Sequence, residues 1–342
     1  MADNVLKLMN FMYKAILLSI FTLCLTACSS KNNKLQTDTR EAKPVLQESV
    51  DDKKIPAFNR DSTFLFLKKQ CDFGPRVPNT TAHQLCGNYL AGELKRFGAE
   101  IIEQNADLKA YNGTVLKAKN IIGIFYPEKT KRVILFAHWD SRPFADNDPN
   151  PDNHRKPVMG ANDGASGVAV LLEIARQIQQ HEPPVGIDIV FLDAEDYGEP
   201  SFEQSNKRDT WCLGAQYWGK NPHYKIKPQF GILLDMVGGQ NPEFGMDMVS
   251  VKMATDILTK VWNVAKKLGY GDYFQNKRSG TIIDDHVYIN ALTGIPTIDI
   301  VDYNSERGFP DTWHTVDDTP ENIDVYTLEM VGRTLINVIF NE

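Results

Sequence analysis

Acids and histidines gather in six short clusters along this sequence. His138-Trp139-Asp140 closes one apolar run, Glu195-Asp196 follows a second and Asp235 closes a third. Asp163 sits in the glycine-rich stretch Gly160–Gly167, just before an apolar helical pattern. Asp284-Asp285-His286 precedes Val287–Leu292, and Trp313-His314-Thr315 comes late, before the last apolar stretch. An unpaired carboxylate on a buried strand is expensive. Acids brought together in this way share protons or hold a cation. Carboxylate oxygen with imidazole nitrogen, and no thiolate, suits zinc in an open catalytic site with three protein ligands. Cys71, Cys86 and Cys212 form no Cys-x-x-Cys pair, which argues against a cysteine-ligated structural zinc.

Something must place these clusters side by side. The runs Ile101–Gln104, Ala118–Phe125, Arg132–Ala137, Ile187–Leu192, Phe230–Met236 and Ile295–Val301 read as strands. Between them, Asn79 is placed to cap a helix to about Phe97, with Leu85, Tyr89, Leu90, Leu94 and Phe97 on one face. Val168–Ile178 has helical spacing, Thr255–Leu268 ends at Gly269, and Thr319-Pro320 is placed to open a last helix through Phe340. Strands alternating with helices predict a single α/β domain over residues 55–342, with a mostly parallel central sheet flanked by helices on both faces. In such sheets ligands bind beyond the carboxyl ends of the strands, where the clusters fall.

The composition agrees with one globular domain. Of 342 residues, 42% are hydrophobic and 24% charged, which excludes general disorder and coiled-coil or collagen-like chains. A net charge of −7 argues against a nucleic-acid binder. Residues 1–27 have Lys7 and Lys14 before an apolar core too short to span a bilayer, then Leu25-Thr26-Ala27-Cys28. This resembles a bacterial lipoprotein signal, which predicts a lipidated Cys28 and a flexible tether over 28–54. The implied location is the periplasmic side of the envelope, with the lipid as the only membrane contact and the outer membrane favoured. In that oxidising compartment a Cys71–Cys86 bridge and buried free thiols both remain open readings. The loop Ser141–Met159 is rich in Asp, Asn and Pro but has no ordered spacing that would support calcium. The chain is expected to be a monomer.

In their order, the five motifs around His138, Asp163, Glu195, Asp235 and His314 resemble the zinc-dependent M28 peptidase fold across nearly all of residues 55–342. That fold serves dinuclear zinc aminopeptidases and mononuclear zinc glutaminyl cyclases. Trp313 directly before His314, Asp284 before Asp285-His286, and the long loop carrying Trp211 are similar to the cyclase branch. The resemblance implies one zinc per chain on Asp163, Asp196 and His314, and conversion of N-terminal Gln of peptides to pyroglutamate with release of ammonia. It gives Glu195 the proton transfer and joins Asp235 and Asp284 to it in a hydrogen-bonded chain. Trp313 and Trp211 become walls for the substrate side chain, and His138-Asp140 a structural pair. Position 196 is Asp where animal cyclases have Glu, and Asp299 stands where they have His; bacterial cyclases share both features. The aminopeptidase is the alternative, with an inactive binding module as a third reading.

Overall fold

The computed structural model describes residues 55–203 and 207–342, all within one unit, Lys53–Glu342. The signal, Cys28 and the tether lie outside the described residues. No helix among the described residues is long and apolar enough to cross a membrane.

Six strands form the main sheet: β1 (Glu100–Lys109), β2 (Val115–Phe125), β3 (Arg132–His138), β4 (Gly186–Leu192), β5 (Gly231–Asp235) and β8 (Thr297–Val301). Their order is β1-β2-β4-β3-β5-β8. The β1–β2 and β2–β4 pairs are antiparallel, and β4–β3, β3–β5 and β5–β8 are parallel. Parallel strands buried on both faces need unbroken apolar runs. In β3, Val133, Leu135 and Ala137 join one core cluster while Ile134 and Phe136 join another on the opposite face. The first face is covered by α1 (Arg60–Cys71), α2 (Thr81–Arg96), α3 (Ala165–Gln180), α6 (Thr255–Lys267) and α8 (Val325–Phe340), the second by α4 (Leu213–Lys220) and α7 (Asp285–Thr293). A short parallel pair, β6 (Phe244–Asp247) and β7 (Phe274–Gly280), lies apart, and α5 (Met248–Met253) follows β6.

Several local expectations change. Thr80, not Asn79, caps α2, accepting from His83 N. Asn79 has φ 76 and reaches Lys117 N and Val115 O instead. Leu85 is 50% exposed, because His83 and Cys86 turn inward in its place. His83 can do so because Asp193 meets its Nε2 at 2.9 Å and Trp139 stacks on its ring. Pro320 opens only a 3-10 turn, Pro320–Asn322, and α8 starts later behind the Asp324 cap. β1 and β2 extend beyond the predicted Ile101–Gln104 and Ala118–Phe125. Cys71, Cys86 and Cys212 are buried free thiols, so no Cys71–Cys86 bridge forms.

Candidate active site

The carboxyl ends of the parallel strands converge on one cavity of about 450 Å³. His138 is the last residue of β3, Asp235 the last of β5, and Glu195-Asp196 follow β4 after Asp193 and Ala194. Asp163 lies in the turn before α3, Asp284 caps α7, and His314 comes from the loop before α8. Backbone strain concentrates here: Ala194, Met236 and His314 all have positive φ. Gly164 has no alternative, since a Cβ there would meet His138 Nε2 at 2.4 Å.

Two carboxylate–imidazole triads share Asp163. In Asp163–Asp196–His314, and again in His138–Asp163–Asp235, one ligand atom from each residue lies within 4.8 Å of the others. His314 Nε2 is 3.2 Å from Asp196 Oδ1 and 3.6 Å from Asp163 Oδ2. His138 Nε2 is 2.9 Å from Asp163 Oδ1 and 3.2 Å from Asp235 Oδ1. On the far sides of the rings, His138 Nδ1 faces Asp140 and His314 Nδ1 faces Asp146, each at 3.5 Å. A carboxylate behind Nδ1 leaves Nε2 to face a cation, as metal-binding histidines require. Both Asp196 oxygens are buried without a hydrogen bond, an arrangement costly unless something positive meets them. The donor set therefore fits zinc, by its chemistry and by these orphaned oxygens.

Two buried aspartates hold the backbone of these loops. Asp140 accepts from Glu195 N and Asp196 N, both at 3.1 Å. Asp318 does the same for Asn162 N at 2.7 Å and Asp163 N at 3.1 Å. Burial, then the Asp163 charge, pushes Asp318 up to about 7.

Glu195 lies in a group with Cys212, Asp284 and Asp285. Burial raises its pKa well above the usual value; His138 opposes this, and Asp284 and Asp196 add to it. Burial also lifts Asp235, to about 7, against its contact with His138. The implied chain from Asp235 to Asp284 is drawn differently here. Asp235 turns to His138, whereas Asp284 sits in a buried group with His286 and Asp299. Burial first, then the Asp284 charge, holds Asp299 well above the usual carboxylate range.

Trp313 and Trp211 both reach the site, each with its ring stacked against His314. Ring centroids are 4.0 Å apart for Trp313–His314 and 5.9 Å for Trp211–His314, the latter pair nearly parallel at 2°. The Trp211 indole is held in turn by Arg142, whose guanidinium carbon lies 4.3 Å from the ring centroid.

Arg142 and Asp146 lie in the Ser141–Met159 loop, where their i, i+4 spacing is the one sequence signal that pairs them. Arg142 forks onto both Asp146 oxygens at 2.8 Å and donates to Asp196 O at 2.9 Å. Burial would raise Asp146, but Arg142 and His314 outweigh it and hold its carboxyl well below the usual range. Asp148 in the same loop is engaged by Asn150 N, Asn153 Nδ2 and Val316 N, so it serves as a loop clamp.

The sequence profile of peptidase family M28 matches residues 120–339. A glutaminyl cyclase structure from Bacteroides thetaiotaomicron, bound to N-acetylhistamine, is 57% identical, covering 84% of this chain and 99% of that one with a TM-score of 0.83. A structure described as a leucine aminopeptidase precursor from the same organism is 56% identical over 84% and 99% of the two chains, with a TM-score of 0.82. The glutaminyl-peptide cyclotransferase of Bothrops jararaca is 26% identical over 246 residues, which span 63% of this chain and 63% of that enzyme. The match thus covers less than two thirds of the snake enzyme.

Proposed function

This chain belongs to peptidase family M28, and we propose that its site cyclises N-terminal glutamine of peptides and proteins to pyroglutamate, releasing ammonia. One observation carries the choice: Trp211 and Trp313 both line the cavity with their rings stacked against His314. Hydrolysis needs a positioned water, whereas cyclisation needs a glutamine side chain folded back on its own amine in a space that excludes water. Two indole walls beside the acids favour the second. The 57% identical glutaminyl cyclase, matched along 99% of its length, supports the same reading.

Asp163, Asp196 and His314 would hold one zinc, which when bound supplies a Lewis acid for the γ-carboxamide. Trp211 and Trp313 would confine the side chain, so that amine and carbonyl meet intramolecularly. Glu195 would accept a proton from the attacking α-amine as the new C–N bond forms. It would return that proton to the departing nitrogen as the old C–N bond breaks, so ammonia leaves neutral. A carboxyl with raised proton affinity suits both halves of this exchange. Asp235 would hold the amine end, and Asp284, beside Glu195, would help keep the proton affinity of that carboxyl high.

A second reading has its own observation. The His138–Asp163–Asp235 triad could hold a second cation, as a dinuclear aminopeptidase requires. Mass spectrometry of a Gln-initiated peptide after incubation separates the two. Loss of one ammonia supports cyclisation, and loss of the whole first residue overturns it in favour of the aminopeptidase. From the signal sequence we also propose attachment to the envelope through a lipid on Cys28, facing the periplasm.

A further inference from the structure

Glu195 is reached by a side chain that the chemistry above leaves unused. Cys212 Sγ lies 3.0 Å from Glu195 Oε1 and is completely buried. The backbones are stitched together at the same place: Cys212 N donates to Glu195 O at 2.9 Å, and Leu213 N to Ala194 O at 3.0 Å. Cys212 is the residue before α4, where an extended backbone with a capping oxygen is usual. Instead it has φ 55 and ψ 35 and makes no side-chain cap. A left-handed conformation is costly for any residue but glycine, and asparagine or aspartate tolerate it best. A cysteine kept there, with its sulfur on the proton-carrying carboxylate, is a strained residue at a functional position.

The sulfur is a donor. Burial, then the charges of Glu195, Asp285 and Asp284, pushes the thiol pKa up, so it keeps its hydrogen. A thiol is also a weak and neutral donor. A cationic partner would hold the carboxylate too, but would weaken its grip on a proton.

We propose that Cys212 is a positioning residue for Glu195: its thiol fixes Oε1, so that Oε2 is presented to the reacting nitrogen. The inference rests on the reading that Glu195 carries the proton.

The test uses the zinc-loaded protein with Cys212→Ala and Cys212→Ser, each alone and combined with Glu195→Gln. Cys212→Ala should lower kcat by about tenfold, the scale of one modest hydrogen bond to a charged group, with KM and zinc content held. Cys212→Ser, which restores a donor, should recover most of that loss. Combined with Glu195→Gln, Cys212→Ala should have almost no further effect, because the two act through one group. Should Cys212→Ala not fold, Cys212→Gly replaces it, since glycine suits φ 55 and equally lacks the thiol. An unchanged kcat, no rescue by serine, or an equal loss in the Glu195→Gln background would each overturn the proposal. A wild type that forms no pyroglutamate overturns the functional reading and this inference with it. A wild type that forms it, beside an unaffected Cys212→Ala, overturns this inference alone.

Discussion

Replacing Glu195 with glutamine isolates proton transfer from everything else the site does. The two side chains have the same shape, and Glu195 belongs to neither triad around Asp163. The amide therefore removes a proton acceptor while leaving the proposed zinc ligands in place. It also enters a crowded set of acids: both Asp285 oxygens and one Asp284 oxygen are buried without a partner. An amide NH₂ beside them adds a donor and removes a like charge, so unfolding stability should hold or rise. General acid–base catalysis contributes about 10²–10⁴-fold, so kcat should fall by that factor, or roughly 2.7–5.5 kcal/mol of barrier. The assay pairs pyroglutamate formation, followed by mass spectrometry, with elemental zinc analysis and thermal unfolding on the same preparation. A variant that has lost its zinc would show that Glu195 is a ligand. A variant with near-normal kcat and normal zinc would remove it from proton transfer, and either result refutes the reasoning.

The remaining predictions follow from the same geometry. His314→Ala should lose zinc and activity together, and metal content measured beside turnover checks this. Trp313→Ala removes the indole 4.0 Å from His314, so KM should rise more than kcat falls, by steady-state kinetics on Gln peptides. Elemental analysis should give about one tightly held zinc per chain; two, both required for turnover, would favour the aminopeptidase. Cys28→Ala should abolish metabolic labelling with palmitate.

The strands were legible because each parallel strand is a mostly apolar run, interrupted inside β4 by Asp188 and inside β8 by Asp299, and burial on both faces demands such a composition. The metal-type residues were legible for a related reason: a strand end is where an apolar run stops, so His138 and Asp235 stand out against it. Helix faces were harder. In α2, Leu85 has the side chain that apolar spacing sends inward, yet His83 takes the buried position because Asp193, just past the end of β4, meets it there. Asn79 has capping chemistry, but its amide serves a neighbouring strand. The inward face of α1 was hidden because polar Thr63 and Gln70 share its buried stripe with Phe66, Leu67 and Cys71, while apolar Leu65 is exposed. Cys212 reads as core because its neighbours in sequence are apolar, and only the backbone turn at φ 55 brings it to Glu195. Such contacts join residues far apart in the chain and leave no local period.

The fork between one metal and two turns on the substrate's amine. Both triads are built alike: each offers an imidazole Nε2, an aspartate behind Nδ1 at 3.5 Å, and a share of Asp163. The scaffold alone is therefore indifferent to the count. The reactions are not. In hydrolysis the α-amine is a handle, and holding it on a cation costs the chemistry nothing. In cyclisation the same amine is the nucleophile, and a lone pair given to a second cation is withdrawn from the carbon it must attack. Asp235, facing His138 at 3.2 Å, would accept a hydrogen bond from the amine and leave its lone pair free. A one-zinc cyclase on this scaffold would therefore keep His138 and Asp235 for each other, and a dinuclear enzyme would spend the same two side chains on its second cation.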